Sequence, residues 1–236
     1  MPKALIFDVF GTVVDWRGSI TREARALAEQ KGIQLNAGRF ANEWRSGYQP
    51  AMDRVRTGEL PWLNIDALHR LILDELIPKF QLNQLSEEEL NTLNRAWHRL
   101  KPWPDSVRGL KLLKKTYTIS PLSNGNFSLL NNMAKYSGLP WDCIISAELF
   151  GHYKPDPETY LGSAKLLDLE PDEVMLCAAH KDDLLAAQAC GLKTAFIKRP
   201  REFAPSVKLD LSSDERFDFN VDSLSLIHIL PCLRLL

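Results

Sequence analysis

The sequence predicts an α/β fold in which a parallel sheet is flanked by helices and a helical domain is inserted after the first strand. Short apolar runs recur along the chain, and helical patterns separate them. A long early segment breaks this alternation and shows helical periodicity alone. Strands that alternate with helices favour a parallel sheet, because each helical crossover returns the chain to the same end of the sheet.

Five short apolar runs read as buried strands. The first is Ala4–Phe7, which a glycine follows closely. The later runs cover residues 117–122, 143–145, 174–178 and 194–197. The helical patterns between them cover residues 106–115, 128–137, 157–167 and 183–190, and Gly191 closes the last of these.

Residues 16–100 carry three apolar stripes at helical spacing and no convincing strand. The capping-box pair Ser86 and Glu89 precedes the third stripe. We therefore assign residues 1–15 and 101–236 to an α/β core domain and residues 16–100 to an inserted helical domain. The stripes, each on one helical face, are Phe40, Trp44, Tyr48, Met52 and Val55; Leu68, Leu71, Ile72 and Leu76; and Leu90, Leu93, Trp97 and Leu100.

The composition excludes several classes of partner. The formal net charge is -1 and no block of like charge stands out, so neither nucleic acid nor a membrane surface is expected to bind. No apolar run approaches the roughly 20 residues of a membrane-spanning helix, and the first residues do not resemble a secretory signal. We expect a cytoplasmic protein with reduced core thiols, because the cysteines lack paired metal-ligand spacing and three of them lie in apolar segments. The cysteines are Cys143, Cys177, Cys190 and Cys232.

The segment from about Ser223 onward has weak periodicity and no polar face. It is either a final core helix or a cloning or frameshift scar, and no function is assigned to it.

Polar residues follow the predicted strands where ligands of open parallel sheets bind, beyond the carboxyl ends. A single aspartate after a strand is most often a helix cap or a turn residue. The combination of aspartates with hydroxyls, an amide and a lysine at successive strand ends favours a catalytic site instead, with Asp8 as a nucleophile. The candidates are Asp8, Thr12, Ser123, Asn124, His152, Lys154, His180, Lys181, Asp182 and Asp183.

Four segments at these strand ends resemble the motifs of the haloacid dehalogenase superfamily, in the order that the family shows. They are residues 7–15, 122–125 and 153–156, and Asp183 with the residues that lead to Gly191. The resemblance covers nearly the whole chain to about residue 222. It implies a Rossmann-like core with a helical cap inserted after the first strand, in agreement with the pattern above.

Two positions separate the dehalogenases of this superfamily from its phosphatases. Phosphatases carry a second aspartate two residues after the nucleophile as a proton donor, and Phe10 stands there in this chain. The first of two magnesium-binding acids falls on Ala179, which offers no oxygen from its side chain. In both respects the chain resembles the type II L-2-haloacid dehalogenases. A halide leaves without a general acid, and a metal on the carboxylate would weaken its attack at carbon.

This resemblance implies hydrolysis of short 2-haloalkanoic acids to 2-hydroxy acids through an aspartyl ester, with no metal and no cofactor. The expected partners are the 2-halocarboxylate and water, and a homodimer is a further expectation from the family. Asp8 is then the nucleophile, Asp183 the residue that orients or deprotonates water, and Lys154 the cation that keeps Asp8 ionised. Thr12 and Ser123 are expected to hydrogen-bond Asp8 or the substrate carboxylate.

The remaining site residues implied by the resemblance contact the substrate or the halide. Arg45 is the expected cation from the helical domain, with a packed surface arginine as the alternative reading. Asn124 is expected to cradle the halide, and Tyr160 to orient Lys154 or Asp183. Phe10 and His180 complete the set of candidate residues for this role.

The chain departs from the family pattern at two positions. Asp182 stands where relatives often have an aromatic residue that contacts the halide, and His180 stands where several have asparagine. His180 either binds or activates water or is a structural turn residue. Two other functions stay open: a magnesium-dependent phosphatase with Asp182 as an unusual ligand, and a binding module that has kept the fold.

Overall fold

The computed structural model describes residues 2–229. These residues form two compact units, which we call the core unit (residues 2–15 and 101–229) and the helical unit (Trp16–Leu100). The strands are β1 Ala4–Phe7, β2 Val14–Asp15, β3 Lys101–Pro102, β4 Thr118–Ser123, β5 Ile145–Ser146, β6 Val174–Ala178, β7 Lys193–Ile197 and β8 Phe219–Val221. The α-helices are α1 Trp16–Lys31, α2 Ala37–Ser46, α3 Tyr48–Arg56, α4 Ile65–Lys79, α5 Glu87–Asn94, α6 Ser106–Leu113, α7 Phe127–Ser137, α8 Pro157–Leu166 and α9 Lys181–Ala189.

Six strands of the core unit form a parallel sheet in the order β5-β4-β1-β6-β7-β8. β1 lies in the middle, where Ala4 is in register with Thr118 of β4 on one side and with Val174 of β6 on the other. The predicted fold class, a parallel α/β sheet flanked by helices, is confirmed. The strand order reverses at β1, which is the point of such sheets where ligands bind.

The interior of the sheet explains why its strands read as continuous apolar runs. β1 is almost completely buried, since its four residues expose at most 1% of their surface. Ile6, Leu122, Leu176 and Phe196 belong to one buried cluster that joins four of the strands. Strands covered on both faces carry no alternating polar residues, so the run itself is the signal.

The structure corrects the sequence prediction at the edges of the sheet. The third strand is Ile145–Ser146 and starts later than expected, which leaves Cys143 exposed. Cys177 is buried and Cys190 is half-buried, so the expectation of core thiols is met in full by Cys177 alone among the described residues. Cys232 lies outside the described residues. β8 was not predicted, because a three-residue edge strand offers too short a pattern.

In the helical unit, the stripe expected on one helix is divided between α2 and α3. The break falls at Gly47, whose N–H closes α2 by donating to Glu43 O at 3.3 Å. Pro50 follows in the first turn of α3, where its missing N–H is tolerated only because the turn has no intrahelical acceptor for it. The predicted capping box of Ser86 and Glu89 is confirmed at the start of α5.

The third predicted helix also changes type along its length. α5 ends at Asn94, and residues Arg95–Arg99 continue as a tighter 3₁₀ segment. Trp97 on this segment is fully buried, together with Trp16 and Trp44. Large aromatic side chains thus form part of the interior of the helical unit, beside aliphatic residues such as Ile20 and Leu68.

The segment after Ser223 packs on the core unit as far as the structure describes it. Residues Leu224–Ile229 form a 3₁₀ segment instead of an α-helix, and Leu224 is fully buried. The Leu224 N–H donates to Asp105 Oδ2 at 2.8 Å. Residues 230–236 lie outside the described residues. Among residues 2–229, no helix combines the length and the apolar character needed to cross a membrane.

Candidate active site

The candidate residues of the core unit gather at the carboxyl ends of its strands. Asp8 directly follows β1, and its N–H donates to Cys177 O of the neighbouring strand β6 at 3.1 Å. His180 follows β6 by two residues and begins α9 as its N-cap. Because β1 is central, side chains from both halves of the sheet reach the same point.

Asp8 is 6% exposed and receives hydrogen bonds on both carboxylate oxygens. Thr12 Oγ1 donates to Oδ2 at 2.6 Å, and Lys154 Nζ donates to Oδ1 at 3.0 Å. His180 Nδ1 lies 3.2 Å from Oδ2. Thr12 is itself oriented, because its hydroxyl oxygen accepts the Ala179 N–H at 2.8 Å.

These contacts decide the ionisation of Asp8. Burial alone would raise the pKa of the carboxyl group, because a charge is poorly solvated there. The ammonium of Lys154, the imidazole of His180 and the hydroxyl of Thr12 outweigh that effect and hold the pKa of Asp8 well below its ordinary value. Asp8 is therefore an anion at neutral pH, as a nucleophile must be.

Lys154 connects Asp8 to a second carboxylate. Its Nζ donates to Asp183 Oδ2 at 2.5 Å, and burial, which opposes the charge, is outweighed by Asp183 and Asp8, so the pKa of Lys154 is raised. Burial and the nearby charge of Asp8 raise the pKa of Asp183, against the opposing effect of Lys154. A carboxylate with a raised pKa is better suited to accept a proton from water.

Tyr160 and Asn124 hold these two residues in place. Tyr160 Oη donates to Asp183 Oδ1 at 2.6 Å, and burial raises the pKa of the phenol, which keeps it a donor. Asn124 brackets the backbone of Lys154: its Oδ1 accepts the Lys154 N–H at 2.6 Å and its Nδ2 donates to the Lys154 carbonyl at 3.3 Å. Tyr160 thus meets Asp183, one of its two predicted partners.

Ser123 and Asn124 make contacts within the protein that the sequence did not predict, and their expected contacts with the substrate or halide stay predictions. Ser123 Oγ accepts the Gly125 N–H at 3.1 Å, and within the described residues no hydrogen bond joins Ser123 to Asp8. The hydroxyl closes a tight turn after β4, because a serine side chain is short enough to hydrogen-bond the backbone two residues further along. Asn124, expected at the halide, has both ends of its amide engaged by Lys154.

Phe10 and Ala179 occupy the two positions that separate phosphatases from dehalogenases, and neither side chain offers an acid or a metal ligand. Phe10 is 3% exposed and packs beside Gly125, so it supplies an apolar wall and no proton. Ala179 contributes its backbone N–H to Thr12. Asp182 is exposed in the first turn of α9, while its neighbour Asp183 is buried against Lys154.

The sequence reasoning missed one charged residue of the site, Glu202. It is 2% exposed, and both of its carboxylate oxygens lie 3.0 Å from His180 Nε2. Glu202 belongs to the loop after β7, which ends at the same edge of the sheet as the other strands. The rule that identified the other candidates would have found it if it had been applied five residues beyond Ile197.

Arg45 lies in the helical unit, on α2. Its guanidinium is stacked over the Tyr48 ring, with 4.1 Å between Cζ and the ring centroid, and lies 5.7 Å from the ring of Trp16. The face of an aromatic ring attracts a cation electrostatically, so these two rings help to fix the position of the guanidinium.

A buried aspartate held ionised by a lysine, at the switch point of a parallel sheet, is typical of Rossmann-like hydrolases. The chain belongs to the haloacid dehalogenase-like hydrolase family, whose model matches residues 2–191. This membership confirms the resemblance drawn from the four sequence motifs.

Within this family, the relatives compared below are proteins named as haloacid dehalogenases. The chain is 48% identical to an L-2-haloacid dehalogenase of known structure, with a TM-score of 0.91 over 97% of this chain and 98% of that chain. It is 45% identical to a defluorinating L-2-haloacid dehalogenase, with a TM-score of 0.94 over 99% of this chain and 95% of that chain. It is 29% identical over 208 residues to (S)-2-haloacid dehalogenase 1 of Pseudomonas sp. (strain CBS-3), which covers 86% of this chain and 88% of that protein.

Proposed function

We propose that the protein hydrolyses short 2-haloalkanoic acids, such as haloacetates and L-2-halopropionates, to 2-hydroxy acids without a metal or a cofactor. One observation carries the proposal: Asp8 is buried and ionised, and the residue two positions on is the buried Phe10. The nucleophile is therefore present and the adjacent proton donor of the phosphatases is absent. This combination suits a leaving group that departs as a stable anion. The relatives named as haloacid dehalogenases support the same reaction.

In the first step, a carboxylate oxygen of Asp8 attacks C2 of the substrate from the side opposite the halogen. The new C2–O bond forms as the carbon–halogen bond breaks, and the halide leaves with the bonding electron pair. Backside displacement inverts the configuration at C2. Lys154 supports the step by keeping Asp8 ionised at a contact of 3.0 Å.

In the second step, water attacks the carboxyl carbon of the Asp8 ester. Asp183 is the base that takes the proton, and Tyr160 holds its carboxylate by a 2.6 Å hydrogen bond. The tetrahedral intermediate then expels the alkoxide, which recovers the proton and leaves as the 2-hydroxy acid. Asp8 keeps one oxygen atom that came from water, and it returns to the carboxylate when the second proton of that water is released to solvent.

The helical unit contributes a cation in this proposal. We assign Arg45 to the substrate carboxylate or the departing halide, since its stacking on Tyr48 fixes the position of the guanidinium. Four expectations remain predictions. They are the role of the helical unit as the family's cap domain, the contacts of Phe10 and Ser123 with substrate, the cytoplasmic location and the homodimer.

Halide release from chloroacetate, bromoacetate, fluoroacetate and both 2-chloropropionates, with EDTA present, tests the reaction. We expect release from at least one L-configured or achiral substrate, with a D-2-hydroxy acid formed from L-2-chloropropionate. In H₂¹⁸O with enzyme in excess, the label should enter Asp8 and not the first molecule of product. Arg45→Gln should raise KM more than the same change at the exposed Arg39.

Three outcomes would contradict the proposal. Label in the first product would show direct attack by water at C2. Absence of halide release from every substrate would refute dehalogenation. Phosphate release from p-nitrophenyl phosphate that depends on Mg²⁺ would instead support the phosphatase alternative.

A further inference from the structure

His180 lies between two carboxylates that come from different parts of the sheet. Its Nδ1 is 3.2 Å from Asp8 Oδ2, and its Nε2 is 3.0 Å from both oxygens of Glu202. Each ring nitrogen thus faces an acceptor. Only the doubly protonated imidazolium can donate to both at once, because a neutral ring carries one N–H.

The carboxylate of Glu202 is fixed by the loop that carries the nucleophile. It occupies the space beside Gly11, where any Cβ would overlap it, and Gly11 has a φ of 89° that favours glycine. The Glu202 N–H donates to Arg199 O at 3.2 Å, and Arg199 Nε donates to Thr12 O at 2.8 Å. Glu202 is therefore built into the same loop assembly as Asp8.

The surrounding charges agree with an imidazolium. Burial would lower the pKa of His180, but Glu202 and Asp8 together raise it well above 6.5. On the far side of Asp8, Lys154 is shared with Asp183, and the guanidinium of Arg199 interacts electrostatically with Glu202. Negative and positive groups therefore alternate from Asp183 through to Glu202, so each buried charge has an opposite neighbour.

The two oxygens of Asp8 are held differently, and this difference suggests separate tasks. Oδ1 accepts one hydrogen bond, from Lys154, whereas Oδ2 accepts from Thr12 and faces His180. The oxygen with fewer donors is the better nucleophile. The oxygen with two donors is already surrounded in the way that an oxyanion requires.

We propose that Thr12 and His180 form an oxyanion hole around Asp8 Oδ2, and that Glu202 is the positioning residue that keeps His180 a donor. This inference rests on the dehalogenation proposed above. Oδ1 forms the bond to C2, and Oδ2 becomes the ester carbonyl. When water attacks the carboxyl carbon, the π electrons of that carbonyl move to Oδ2, and the water proton goes to Asp183. The intermediate re-forms the carbonyl at Oδ2, breaks the bond to Oδ1 and returns the proton to the departing alkoxide.

Glu202 therefore acts on the hydrolysis of the ester and little on its formation. An imidazolium cannot take a proton from water, so His180 is an electrostatic donor and Asp183 is the base. Without the carboxylate of Glu202, His180 would lose its proton at lower pH. The neutral ring could then offer Oδ2 only an uncharged N–H, which stabilises an oxyanion less than an imidazolium does.

Glu202→Gln, which keeps the size of the side chain, tests this division. In single-turnover experiments we expect halide release to change by less than about 3-fold and ester hydrolysis to slow by about 10-fold to 10²-fold, the larger figure being the effect of losing one oxyanion donor altogether. The Asp8 ester should then accumulate, visible as a mass increase of the intact protein. The slowed hydrolysis should recover as the pH falls and His180 regains its proton. Glu202→Asp should restore part of the rate.

The matched control is Glu215→Gln, which makes the same change at an exposed glutamate and should leave both steps as they are. His180→Gln gives a second route to the same result if Glu202→Gln does not fold. Equal slowing of both steps, or hydrolysis that stays slow at every pH, would overturn the inference.

The protonation of His180 is tested without any turnover. In protein labelled with ¹⁵N-histidine, both ring nitrogens of His180 should show the protonated form through neutral pH, with the signal assigned by its loss in His180→Gln. Glu202→Gln should move the titration to lower pH, and Glu215→Gln should not. A neutral His180 in the wild-type protein at pH 7, or an unchanged titration in Glu202→Gln, would refute the positioning role even if no haloacid proves to be a substrate.

Discussion

Two histidines, the fully buried His69 of the helical unit and the partly buried His180 of the core unit, differ in charge at neutral pH. His69 of the helical unit is completely buried and stacks on Trp97, with 4.1 Å between ring centroids and 15° between planes. Burial outweighs the nearby carboxylate of Asp66 and, with Arg45 and His98 adding to its effect, lowers the pKa of His69 to about 3. In the core unit, His180 keeps its proton because carboxylates face both of its ring nitrogens.

This contrast shows that burial alone does not decide what a histidine does. Desolvation opposes the charge of both rings, and only the neighbours differ. In the core unit the neighbours of His180 are the carboxylates of Asp8 and Glu202, so oppositely charged groups pair there and stay ionised. In the helical unit the rings of Trp44, Tyr48 and Trp97 contact His69, and burial outweighs the nearby carboxylate of Asp66, so the imidazole stays neutral and contributes packing.

Removing the central charge of the core unit should have the largest effect. Asp8→Asn replaces the nucleophile with a neutral amide, so halide release should fall by about 10⁴-fold or more. Asp182→Asn is the matched control, because that carboxylate is exposed, and it should retain the wild-type rate. A comparable loss in Asp182→Asn would mean that the exposed acid takes part in the reaction.

Removing an aromatic ring from the helical unit should act on stability instead. Trp97→Ala leaves a cavity among buried rings and should lower the free energy of unfolding by about 3–5 kcal/mol in urea denaturation. Trp62 is 40% exposed, so Trp62→Ala should cost less than half as much. Equal costs for the two variants would show that the aromatic interior is not what stabilises this unit.

The smallest expected effect concerns acid stability. The pKa of His69 is about 3 in the folded chain and near 6.5 when unfolded, so the unfolded chain binds the proton first. His69 therefore costs the folded state stability as the pH falls below 6.5, by about 2 kcal/mol between pH 7 and pH 5. His69→Phe should remove that loss in urea denaturation at the two pH values.

At pH 7 the same substitution should change stability by less than about 1.5 kcal/mol, because phenylalanine conserves the shape and stacking of the ring. An unchanged pH dependence in His69→Phe would show that the buried ring does not govern this part of the acid response.

The sequence allowed most of the core unit to be predicted, because strands buried on both faces leave an unmistakable apolar run. β1 and β6 have the bounds that their residues predicted. The same reasoning missed β8 and placed β5 too early, since two or three residues at a sheet edge show no pattern of their own. It also joined α2 to α3, because the apolar spacing continues through Gly47 while the backbone does not.

The candidate site was predictable where a residue follows a strand directly, as Asp8 and Asn124 do. Contacts between such residues depend on side-chain geometry that spacing does not encode. Ser123 turns to its own loop, and Asn124 binds the backbone of Lys154. Glu202 was missed because it stands five residues after β7 and not directly at the strand end, and an isolated glutamate in a loop gives no sign of its contact with His180.

The contacts that complete the site join residues that are synthesised at very different times. Arg199 Nε reaches back to Thr12 O across 187 residues of sequence, and Glu202 comes later still. During synthesis on a ribosome, Asp8 is therefore made long before the groups that hold His180 and the nucleophile loop in place. Sheets with such distant pairings form slowly and late. Catalytic competence would then appear only with the last strands, so that turnover itself reports when a newly made chain has finished folding.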